Sequence, residues 1–215
     1  MLGWIRWSDG RRLLLERENL RDLPVLALYL PRRERGAPRR ARKGARALAG
    51  RQVTRILAPP DAPWELLRQA GLRPVDTAGL RCALAVPWVV ESLRVRGVQP
   101  ERASVCLRGG RVSPELALTA RRLCPVVRTL IVDAPEGGRL ALHLQRQFGL
   151  PVLPPGSARP DLTLRFGGGP LLEGASFAAA GPPLPEDCER LPLLAALWEC
   201  GRLKTEGIRI FVDFP

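Results

Sequence analysis

Short apolar runs alternate with helix-like segments along most of the 215 residues, which predicts an α/β protein: mainly parallel sheet with helices on both faces. Two stretches carry the prediction. Residues 103–153 read strand, Gly-Gly turn, helix, strand, acidic residue, helix, strand, the spacing of two successive βαβ units. Residues 24–31 form a continuous apolar run closed by prolines, followed by a helix over 37–49 and a further strand over 53–57.

Taken in order, Gly3-Trp4-Ile5-Arg6-Trp7, the turn Ser8-Asp9-Gly10 and a return over 11–16 predict a β-hairpin. The run 24–31 suits a buried strand, and the arginine-rich helix 37–49 should stop with Gly50 just past its end. A helix over 64–70 opens after Pro59-Pro60-Asp61-Ala62-Pro63 and ends at Gly71, ahead of a short strand over 72–75. Pro87 interrupts an apolar helical pattern over 77–96, so a helix should start or kink there. Gly97-Val98-Gln99-Pro100-Glu101 is a polar joint rich in breakers, and it divides the chain into a basic lobe, 1–98, and a second α/β lobe, 99–215.

In the second lobe Ser104-Val105-Cys106-Leu107 is a strand, and Gly109-Gly110 allows a sharp turn. Ser113-Pro114 caps a helix with Leu116, Ala120, Leu123 and Cys124 on its apolar face. Residues 128–132 are the next strand, ending on Asp133. A helix over 137–149, strands over 152–153 and 161–166, a helix over 191–203 and a terminal strand over 207–214 complete the reading.

Composition narrows the function classes. The five cysteines are odd in number and none forms a C-x-x-C pair, so they read as reduced core residues in a reducing compartment. No run reaches the length of a membrane span, and charged residues break up the first dozen positions, which predicts a cytoplasmic protein without a membrane partner. A single histidine, His143, excludes a His-rich metal site, and the cysteines lack zinc spacing. Of the net +13, residues 1–98 carry 20 basic and 9 acidic side chains, and nine cations crowd residues 32–51 (Arg32, Arg33, Arg35, Arg39, Arg40, Arg42, Lys43, Arg46, Arg51) against Glu34 alone. Arg39, Arg42 and Arg46 share one helical face, with Ala41, Ala45 and Leu48 on the other, so the charge reads as a solvated face that attracts nucleic acid without sequence specificity.

The run Leu107-Arg108-Gly109-Gly110-Arg111-Val112-Ser113-Pro114-Glu115, with Asp133 closing the next strand, resembles the turn of Rossmann-type dinucleotide-binding folds, over about half the chain. Taking Gly109 as the first glycine of G-x-G-x-x-G puts Arg111 and Pro114 at the other two positions. Taking Gly110 puts Val112 and Glu115 there. Either register loses two glycines, the middle one being the position where backbone approaches a pyrophosphate. The resemblance implies ligand binding at Gly109, Gly110, Arg111 and Ser113, with NAD(P) as cofactor and Asp133 on ribose hydroxyls. Phe166-Gly167-Gly168-Gly169 reads either as a second loop, its Gly167 and Gly168 backbone against a ligand, or as a hairpin turn. The acidic segment Glu186-Asp187-Cys188-Glu189, with Glu199 further along, reads either as a source of a general acid or base or, in the favoured reading, as Asp187 and Glu189 capping and charging the first turn of the following helix. With two lysines, one tyrosine and one histidine, none beside a motif, no catalytic set is legible. A nucleotide- or small-ligand-binding protein leads, ahead of an NAD(P)-dependent oxidoreductase and of a nucleic-acid-binding protein acting through residues 32–51.

Overall fold

The computed structural model describes residues 1–10, 12–32, 37–180 and 183–213. The chain is α/β, with two mainly parallel sheets flanked by helices, in two compact units: Met1–Thr77 with Ala179–Gly207, and Ala78–Ala178 with Ile208–Pro215.

In the first unit β1 (Leu2–Ser8), β2 (Leu14–Leu20), β3 (Leu23–Pro31), β4 (Arg55–Leu57) and β5 (Arg73–Pro74) form one sheet in the order β2-β3-β1-β4-β5. Parallel pairing joins β1 to β3 and β4, and only β2 runs antiparallel. The expected hairpin between residues 3–7 and 11–16 is therefore corrected, its residue 11 lying outside those described. Leu14–Leu20 pairs with β3 instead, through a two-residue turn at Arg21 and Asp22, whose φ values of 49° and 60° fit a type I′ turn. The physical reason is burial. Leu23–Pro31 is apolar on both faces and takes an interior place, whereas Leu14–Leu20 is largely exposed and suits an edge.

Helix α1 (Ala37–Ala49) packs Ala41, Ala45 and Leu48 with Ile5, Leu26, Leu28, Leu30 and Ile56, leaving Arg39, Arg42, Lys43 and Arg46 exposed. Gly44 is wanted there because a Cβ would stand 2.8 Å from a Leu28 methyl. The left-handed residue after this helix is Gln52 (φ 61°), not Gly50. Helix α2 (Trp64–Gln69) adds Leu67 to the same core.

The second unit opens with α3 (Ala78–Val95), which contains Pro87 and begins well before it. Ala85, Trp88, Val89 and Leu93 are buried in the core, and that packing outweighs the missing N–H at an exposed proline. Strands β6 (Ser104–Gly109), β7 (Thr129–Asp133), β8 (Val152–Leu153), β9 (Leu162–Phe166) and β10 (Pro170–Leu171) lie in the order β10-β9-β6-β7-β8. All pairs are parallel except β9–β10. Helices α4 (Pro114–Leu123) and α5 (Gly137–Phe148) make the β6–β7 and β7–β8 crossovers. Their Leu116, Ala120, Leu123, Leu140 and Leu144 pack with α3 and with Val105, Leu107, Leu130, Val132, Leu162 and Leu164. A separate ribbon pairs β11 (Ala175–Ala179) with β12 (Ile208–Val212). Helix α6 (Arg190–Glu199) belongs to the first unit and ends on Gly201 in the left-handed region (φ 68°), as sequence suggests. Among the described residues no helix is long and apolar enough to cross a membrane.

Candidate ligand-binding site

The parallel strands of the second unit run β8-β7-β6-β9, which is third, second, first, fourth in chain order, and the order reverses between β6 and β9. In open α/β sheets that reversal leaves a crevice beyond the carboxyl ends of the two strands. Gly109 is in register with Phe166, so the turn after β6 and the loop after β9 stand side by side at that point. Two glycine segments 57 residues apart in sequence are thus neighbours in space.

Each residue at this mouth has a defined environment. A Cβ on Gly109 would meet the Arg111 carbonyl and a Leu116 methyl at 3.1 Å, so glycine lets the turn close on α4. A Cβ on Gly110 would meet nothing within 4 Å, and its backbone faces open space. Gly167 and Gly168 belong to the three-residue loop of the β9–β10 hairpin, closed by the Gly167 N–H donating to the Gly169 carbonyl at 3.0 Å, with Gly168 at φ 70°. The hairpin-turn reading of this run therefore holds, at a position beside the β6 turn.

Ser113 caps α4 as its sequence predicts, its hydroxyl accepting from the Leu116 N–H at 3.2 Å. Glu115 completes the first turn. Its carboxyl is held below the usual range by a hydrogen bond from its own backbone N–H, next by the Ser113 hydroxyl, and further by the charge of Arg111. Pro114 has no N–H, and the Ala117 N–H donates to the Ser113 carbonyl, so the first turn spends its donors internally. A pyrophosphate on a helix N-terminus needs those donors free. The residues present do not fit a dinucleotide held in that way.

Asp133, in register with Arg108 across β6 and β7, accepts from the Arg108 Nε at 2.6 Å. The carboxylate that the resemblance assigns to ribose is thus committed to a neighbouring guanidinium. Arg111 stays exposed at the turn. Behind the mouth, the thiol of Cys106 is raised by burial, then by the charge of Asp133.

A second polar cluster, in the first unit, escaped sequence reasoning. Arg6 donates from Nε to Asp187 at 2.5 Å and from Nη1 to Glu18 at 3.3 Å and Tyr29 at 3.1 Å, and its guanidinium lies 4.2 Å above the Trp4 ring. Tyr29 donates to Glu18, and that bond, followed by burial, raises its hydroxyl pKa. Asp187 therefore serves Arg6 rather than the N-terminus of α6, where Glu189 makes no side-chain cap. The thiol of adjacent Cys188 is pushed up to about 12, mainly by burial and then by Asp187. His143 is exposed, 3.4 Å from Arg121, and takes no part in either cluster.

No protein-family model matches the chain, and no curated protein matches it in sequence. Among solved structures it is similar to L-tryptophan dehydrogenase from Nostoc punctiforme, at 16% identity and a TM-score of 0.34, over 76% of this chain and 55% of that one. Arylmalonate decarboxylase aligns at 16% identity and a TM-score of 0.22, over 74% of this chain and 94% of that one. The chain spans little more than half the length of the dehydrogenase. Values this low say nothing of ligand or reaction, and the Rossmann-like description rests on strand order.

Proposed function

We propose that the second unit is a small-molecule-binding module whose ligand sits beyond the carboxyl ends of β6 and β9. The observation that carries this reading is the Gly109–Phe166 register, which puts an open glycine turn and a glycine loop together where the strand order reverses. Gly110 offers backbone without side-chain obstruction, and exposed Arg111 offers a charge for a carboxylate or single phosphate. The ligand class is therefore a small anion-bearing molecule, such as a mononucleotide or a carboxylic acid. Dinucleotides bind weakly in this reading, because the first-turn donors of α4 on which a pyrophosphate would sit are already taken by Ser113 and Glu115.

Calorimetry against AMP, ADP, NAD, NADP and a set of small carboxylic acids tests this. Gly110→Asp, which places a carboxylate in open space without crowding the fold, should abolish the signal. Glu115→Gln should tighten the phosphate-bearing ligands by about two- to fivefold, the usual worth of a charge at a helix terminus. Binding that survives Gly110→Asp undiminished would place the site elsewhere.

A further inference from the structure

From the exposed face of α1 and the groove between α1 and α2, we infer a docking surface for the phosphate backbone of double-stranded nucleic acid, engaged without regard to base sequence. Arg39, Arg42, Lys43 and Arg46 are all exposed, and the helix itself contains no acidic residue. Among the described residues none of these four has an ion-pair partner, whereas Arg55, Arg94 and Arg108 are each paired with a carboxylate. Beside them lies a shallow groove of about 290 Å³ lined by Arg42, Arg46, Leu66, Gln69 and Ala70. Guanidinium groups suit phosphate because they present paired donors in one plane.

The dimensions fit a duplex. From Arg39 to Arg46 the helix rises about 10 Å, and duplex DNA carries one phosphate charge per roughly 1.7 Å of axis, so about six phosphates pass along that length. Half of them face the protein, enough for about three contacts. The same face lacks the side chains by which inserting membrane helices and single-strand binders hold their partners. A membrane-surface helix needs apolar side chains to insert, but Ala41, Ala45 and Leu48 are buried, and none of the exposed large hydrophobic residues lies on α1 or α2. Single strands are held by stacking on exposed aromatic rings, and the only aromatic side chain on these two helices, Trp64, packs against the core. The Gln69 amide, the side chain of the groove suited to reading adenine, is engaged by Glu65 at 3.2 Å, so the guanidinium groups alone face the duplex, and the comparison of two sequences below separates their phosphate contacts from guanine readout.

The test uses the full chain and two 20-base-pair duplexes of unrelated sequence, read by fluorescence anisotropy. Three phosphate contacts give a slope near −2.7 for log affinity against log salt, hence about a 40-fold loss from 50 to 200 mM. The two duplexes should bind alike. The triple substitution R39Q/R42Q/R46Q should weaken binding at least tenfold at 50 mM and flatten the slope, with an unchanged circular dichroism spectrum. The control R122Q/R139Q/R146Q removes the same charge from exposed positions on α4 and α5 and should stay within twofold of the parent. Equal losses in the two variants would overturn the proposal in favour of net charge alone. So would parent-like binding by the α1 variant, a tenfold preference between duplexes, or tighter binding to anionic lipid vesicles at the same salt.

Discussion

Replacing Arg6 by methionine keeps much of the apolar stem and removes the guanidinium that joins Asp187, Glu18 and Tyr29. The side chains of Arg6, Asp187 and Glu18 are 30%, 30% and 23% exposed, which places the network between two measured limits. Fully exposed pairs contribute about 0.2–1 kcal/mol, whereas breaking a fully buried pair costs about 3–5 kcal/mol. A loss near 2 kcal/mol follows for the network, and forfeiting the stack over Trp4 adds roughly 0.5 kcal/mol more. Burial works to lower the Arg6 pKa, yet the bond to Asp187 and the neighbouring negative groups raise it overall, so the folded protein favours the charged form. Urea unfolding of the parent, Arg6→Met, Asp187→Asn and the double variant, followed by tryptophan fluorescence, gives the pairwise term. We expect a coupling energy of about 1–1.5 kcal/mol. A coupling below about 0.3 kcal/mol, or an Arg6→Met protein as stable as the parent, would refute the reasoning.

Three further outcomes follow. Tyr29 is the only tyrosine, so phenolate absorbance reads this one group. Its pKa is raised in the fold, so it contributes stability that is present below about pH 10 and is lost as pH rises through the folded value; a half-titration below pH 10 would contradict the Glu18 bond. Of the five free cysteines only Cys200 is exposed, and Ellman's reagent should titrate one thiol in the native protein and five after unfolding. Leu107 is fully buried at the centre of β6, and Leu107→Ala should cost about 2–5 kcal/mol in chemical denaturation, against roughly 1 kcal/mol for Ser113→Ala at the α4 cap.

What the sequence made legible was local. Ser113-Pro114 fixes the start of α4 through one side chain and one missing N–H, both within four residues of each other, and the apolar spacing of Ala41, Ala45 and Leu48 marks the buried face of α1. Pairing was harder to read. Residues 3–7 and 14–20 are near neighbours in sequence and both strand-like, but β3 lies between them because its two apolar faces need cover on either side. Arg6 and Asp187 stand 181 residues apart, and no local pattern announces their bond. The glycines at 109–110 and 167–168 were each recognisable alone. Their adjacency depends on which strand lies beside β6, a choice made by the whole sheet. Glu115 was visible as an acid in a first turn, but that Ser113 takes the Leu116 N–H while Glu115 takes its own, leaving neither donor for a ligand, emerges only from the folded structure.

The most direct test of the ligand site is an amide ¹⁵N–¹H titration of the full chain with AMP and with small carboxylic acids at millimolar concentration. Binding at the mouth of the second sheet predicts saturable shifts centred on Gly110 and Arg111, extending to Gly167 and Gly168 on the neighbouring strand's loop, and absent in Gly110→Asp. Shifts confined to other parts of the chain, or none with any compound, would contradict it.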